Sequence, residues 1–107
     1  MSNFSPEVIF QTLNNYFNQN REHEALVYLF ETLIDELPNI ENCNNFLIFG
    51  MSQKMNSDVI VHILNALSPI KLKLTQWAQF REYCLNLLIQ EVGTDQAFVL
   101  ISALDSV

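Results

Sequence analysis

A chain of 107 residues with a net charge of −7 holds one domain's worth of polypeptide, enough for a single core and too little for two. Half of its residues are hydrophobic but only 16% are charged, against roughly 25% in soluble domains generally, so Asn and Gln must help solvate the surface or a partner must hide part of it. The acidic balance disfavours nucleic acid as a ligand, because that binding depends on Lys and Arg neutralising phosphates.

Helical spacing and capping residues mark the elements in chain order. Ser5-Pro6-Glu7 opens a first helix, with Ser to accept from an orphan amide, Pro tolerated at the first position and Glu placed against the dipole. Ile9, Leu13, Tyr16 and Phe17 recur at helical intervals before Asn18-Gln19-Asn20 ends it. Residues 21–37 form the clearest amphipathic helix, with Leu26, Leu29, Phe30, Leu33 and Leu37 inward and Glu24, Tyr28, Glu31 and Asp35 outward. A polar connection over residues 38–45 leads to Phe46-Leu47-Ile48-Phe49-Gly50-Met51, a short apolar run that suits a helix or a buried strand. Helix is preferred, since no second alternating segment exists to pair with a strand.

Ser57-Asp58 caps a fourth helix through Ala66, with Ile60, Ile63, Leu64 and Leu67 inward. A fifth, from Leu72 or Thr75 to Val92, is apolar around much of its circumference and is expected at the centre of the fold. Gly93 stops it, Thr94-Asp95 restarts the chain, and residues 96–104 form a last helix that is apolar nearly all round. The fold class expected is all-α: residues 1–107 as a single compact domain of five to six helices. Aligning the second, fourth and sixth helices matches Leu29, Ile63 and Leu100, then Phe30, Leu64 and Ile101, then Leu33, Leu67 and Leu104. Those offsets suit three stacked helical hairpins, although any amphipathic helices share such spacing.

Charge is unevenly spread. Residues 1–50 carry −6, residues 51–81 carry +3 through Lys54, Lys71, Lys73 and Arg81 against Asp58, and the remainder carries −4. Cys43 and Cys84 stand 41 residues apart without a CxxC pair, so they read as buried free thiols. The opening Met1-Ser2-Asn3-Phe4 lacks a signal-peptide pattern, and no apolar run approaches the ~18 residues that span a bilayer. The expectation is a cytoplasmic protein with no membrane contact.

Reactive equipment is sparse. His23, His62, Cys43 and Cys84 are isolated from one another in sequence, unlike the paired ligands of zinc sites, and Asp58 one turn before His62 suggests a local ion pair. With only Gly50 and Gly93, there is no glycine-rich phosphate loop and no nucleophile elbow. The sequence therefore favours a non-catalytic protein-binding role of the inhibitor, immunity, adaptor or chaperone kind, with no cofactor and no metal. Two faces are candidates: an acidic one on the second helix (Glu24, Tyr28, Glu31, Asp35) for a basic protein, and an apolar one on the last helix (Phe98, Leu100, Ile101, Leu104) for a second copy or another protein. The alternative is a small helical metal-dependent hydrolase using Glu31, Asp35 and Glu36 to hold a divalent ion.

Overall fold

A computed structural model describes residues 4–106; the opening Met1-Ser2-Asn3, read above for targeting signals, lies outside them. Among the described residues the chain forms α1 (Pro6–Asn18), α2 (Glu22–Asp35), α3 (Ile40–Gly50), α4 (Ser57–Leu67), a 3-10 segment (Ser68–Lys73), α5 (Trp77–Val92) and α6 (Thr94–Asp105), with no strand. The expected all-helical class is what the chain adopts. No helix among these residues is long and apolar enough to cross a membrane.

Local chemistry explains the boundaries. Ser5 Oγ accepts from the Val8 amide at 3.3 Å with Pro6 in the first turn of α1. Asn20 takes the left-handed conformation (φ 58°) between α1 and α2, which Asn tolerates better than most residues. α2 stops at Asp35, short of the expected residue 37, because Leu37 precedes Pro38 and is biased away from helical angles. The connection is also shorter than expected. Asn39 Oδ1 accepts from the Asn42 amide at 3.0 Å and starts α3 at Ile40. Residues 46–50 are thus the second half of a longer helix whose first turns are polar, and Cys43, Phe46, Leu47 and Gly50 make its buried stripe at positions i, i+3, i+4 and i+7. In α4 the cap is Asn56, one residue ahead of the expected Ser57, with Oδ1 accepting from the Val59 amide at 2.9 Å. Gly93 alone separates α5 from α6, at φ 88° and ψ 164°, a combination open to glycine and costly to other residues.

The helices form a two-layered bundle in which α1–α2 and α5–α6 pack as hairpins. α1, α3 and α5 adjoin in one layer; α2, α4 and α6 adjoin in the other. Cross-contacts give the directions. Tyr16 meets Tyr28 across the tight α1–α2 turn, and Arg81 near the start of α5 pairs with Asp105 at the end of α6, so both outer hairpins are antiparallel. Phe4 and Phe10 reach Phe46 while Phe10 also reaches Phe49, and Asn44 and Gln53 meet Gln76 and Tyr83, so α1, α3 and α5 run in the same sense. α3 and α4 do not pair as a hairpin: α3 packs on α1 and α5, while α4 packs on α2, α5 and α6. The extents of 43 × 35 × 22 Å fit two layers, since a helix with its side chains is about 10–12 Å across.

The centre is α4 rather than the expected α5. Val59, Ile60, Ile63, Leu64, Ala66 and Leu67 are all buried, whereas in α5 burial is confined to Phe80, Cys84, Leu85 and Leu88, and Ala78 is exposed. The internal echo holds over two positions only, with one change of register, and ends where Leu33 and Leu67 are buried but the α6 counterpart is the exposed Asp105. Ala25, Val59 and Ala97 are buried, as are Leu29, Ile63 and Ile101, so α6 matches α4 one residue later than the sequence alignment set it.

Gly50 is required where α3 crosses α5. A methyl group there would stand 2.9 Å from Cε1 of Phe80, whose ring is fully buried and has no room to retreat. Gly50→Ala is therefore expected to destabilise the fold by about 1–3 kcal/mol despite the better helix propensity of Ala, read from the urea midpoint.

Candidate functional site

The outer side of α2 carries two depressions that share three residues. One, about 380 Å³, lies toward α1 and is lined by Tyr16, His23, Glu24, Val27, Tyr28 and Glu31. The other, about 360 Å³, lies toward α4 and is lined by His23, Leu26, Val27, Phe30, Glu31, His62 and Asn65. The ridge between them is His23, Val27 and Glu31, spaced four residues apart and so aligned along one helix face. Val27 and Ile34 are 41% and 39% exposed, so apolar side chains stand outward amid the acids of this helix.

The structure thus brings together Glu24, Tyr28 and Glu31 and sets Asp35, also exposed, one turn further along. Their chemistry is unequal. Glu24 is paired with Arg21, whose guanidinium holds that carboxyl below the usual range and also covers the Tyr16 ring at 4.9 Å from its centroid. Tyr28 is half-buried against Tyr16, ring centroids 6.1 Å apart. The spacing of His23, Val27 and Glu31 was readable from sequence as a helix face, yet Val27 drew no notice among its charged neighbours. His62 joins the surface only because α4 packs beside α2.

His62 does not pair with the Asp58 carboxylate as the spacing suggested. Its Nδ1 lies 2.8 Å from the Asp58 main-chain oxygen instead. The Asp58 carboxyl meets Glu22, at the N-termini of α4 and α2. Hydrogen bonding to Asp58, with smaller effects of desolvation and like charge, raises the Glu22 carboxyl above its ordinary value.

The acids Glu31, Asp35 and Glu36 do not converge. Glu36 lies in the turn after α2, where its carboxylate accepts from Asn42 Nδ2 at 3.0 Å and its main-chain oxygen accepts from Cys43 Sγ at 3.2 Å. Among the described residues no group of three or more His, Cys, Asp or Glu is placed to hold a metal ion.

On α6, Phe98 is 50% exposed, Leu100 and Leu104 are half-buried against the core, and Ile101 is fully enclosed. The outward apolar side of this helix is instead Phe98 with Val99, the latter 62% exposed. Packing of α6 on α5 and α4 decides which part of its apolar circumference is covered.

Cys43 and Cys84 are buried free thiols. Desolvation, aided by the Glu36 charge, pushes Cys43 up to about 11, and desolvation pushes Cys84 higher still. No protein-family model, curated protein or solved structure matches the chain.

Two outcomes follow. Because thiolates are the reactive species, the native protein is expected to resist iodoacetamide at pH 8, and both cysteines should label once urea unfolds it, as counted by intact mass. For Glu22, the folded-state pKa lies above the unfolded value, so its contribution is present in acid and lost as pH rises through the raised value. Glu22→Gln is accordingly expected to raise the Tm at pH 7, with the gain disappearing at pH values where Glu22 is protonated in both states.

Proposed function

We propose that the chain is a non-catalytic protein-binding module of the inhibitor, immunity or adaptor kind, and that the outer face of α2 docks a basic protein partner. The observation that carries this reading is the pair of adjoining depressions divided by His23, Val27 and Glu31. An exposed apolar residue set between grooves with aromatic walls offers desolvation energy, and nearby acids offer steering and register. Glu31 and Asp35 supply the exposed negative charge, while Glu24 is already matched by Arg21. Two buried, unpaired thiols are compatible with a reducing, cytoplasmic setting.

The experiment uses wild-type protein and Glu31→Lys/Asp35→Lys as baits, both positions being exposed. A basic protein retained by the wild type should associate with the double variant about tenfold more slowly at low ionic strength, with the difference shrinking as salt is added. Equal association rates for the two baits, or the lack of any salt-sensitive partner, would remove this assignment.

A further inference from the structure

The 3-10 segment after α4 holds one leucine clear of the protein. Ser68 and Leu74 are buried and Ile70 packs against the core, which fastens the segment at both ends. With three residues per turn, Pro69 and Leu72 fall together on its outward side. Leu72 is 97% exposed, more than any other large apolar residue described. Lys71 and Lys73 flank it; Lys73 is exposed, and Lys71 Nζ donates to the Asp105 main-chain oxygen at 3.0 Å. The segment thus presents an apolar knob with a cation on each side, already held in place, so docking it orders little that is not ordered.

The same chain carries a socket of opposite character. The depression of about 360 Å³ between α2 and α4 is lined by Leu26, Val27 and Phe30 beside His23, Glu31 and His62, and no Lys or Arg borders it. Asp35 continues the acidic rim one turn beyond Glu31. Charge is segregated along the sequence in the same way. Residues 22–53 contain six acids and neither Lys nor Arg; residues 59–81 contain Lys71, Lys73 and Arg81 and no acid. A leucine seated on Leu26 and Phe30 leaves water, and its flanking ammonium groups then face Glu31 and Asp35. The net charge of −7 on each copy opposes this little, since charges farther apart than about 8 Å are screened at physiological salt. Other occupants fit the knob less well: three cations are too few to follow a nucleic-acid backbone, and one leucine is too little to hold a membrane.

We propose that Leu72, flanked by Lys71 and Lys73, seats in the α2–α4 groove of a second copy of this chain. The inference rests on the reading of α2 as a dock for basic protein and names one such partner. Knob and groove are different surfaces, so the contact is heterologous. Its area is small, which puts the dissociation constant at roughly 100 µM.

Sedimentation of the full chain over about 10–1000 µM brackets that value. Wild type is expected to gain mass with concentration at low ionic strength and to lose the gain in about 0.5 M salt. Leu72→Asp is expected to weaken association about tenfold or more, with circular dichroism and the Tm confirming an unchanged fold. Charge exchange supplies a second measurement. Lys73→Glu protein and Glu31→Lys/Asp35→Lys protein should each associate poorly alone and recover when mixed, because an acidic knob then meets a basic groove. A wild type that stays monomeric throughout, association indifferent to Leu72→Asp, or a mixture no better than its components each overturns the proposal. So does a monomeric wild type that floats with phosphatidylserine vesicles through Leu72. Leu72→Asp protein, whose groove is intact, separates this inference from the one beneath it: if it still retains a basic protein while wild type is monomeric, the α2 reading stands and only the second copy is removed.

Discussion

Val59, Ile60, Ile63, Leu64, Ala66 and Leu67 cover more of the circumference of α4 than any single neighbour can shield, and the other helices are arranged around that requirement. α2 covers one side, α6 another, and α5 a third, so three elements from both ends of the chain must be present for α4 to be dry. The enclosed Val, Ile and Leu side chains among them contribute about 1.5–3 kcal/mol each, and Ala66 less. Its N-terminus is tied in as well: Glu91 of α5 accepts from the Ser57 amide at 2.7 Å, satisfying an orphan donor and setting a carboxylate at the positive end of the dipole.

The opposite layer is assembled by aromatic rings and one close approach. Phe10 stacks on Phe46 with centroids 5.3 Å apart and leans on Phe49, fastening α1 to α3. Gly50, one turn after Phe46 and close to the same Phe10 ring, admits the Phe80 ring of α5. The same layer is held at its ends by Asn44, which accepts from the Gln76 amide at the start of α5.

Burying so much apolar surface with so few charges leaves the exterior short of polar cover. The shortfall is spread over several elements: Val8 on α1, Val27 and Ile34 on α2, Ile48 on α3, Leu72 in the 3-10 segment, Val92 on α5, and Phe98 and Val99 on α6 are all exposed. Leu72 is the most open of them.

By itself the sequence determined that the chain is helical, where α1 is capped, that Gly93 divides the last two helices, and that the cysteines are buried hydrophobes. These follow from short-range chemistry: side-chain oxygens near orphan amides, a backbone angle open to glycine, and apolar spacing at 3.6 residues. It also set the acids of α2 outward, because a charged face cannot be enclosed without partners. Tertiary structure alone decided that α4 and not α5 is central, that Ile101 is enclosed while Phe98 is open, and that His62 comes to lie beside His23. An amphipathic pattern states that a helix must hide one side; it does not state how many neighbours will arrive to cover the rest. Where apolar residues run nearly all round, as on α5 and α6, the covered side is chosen by the angle at which other helices meet it, and that angle depends on side chains remote in the chain, such as Gly50 beneath Phe80.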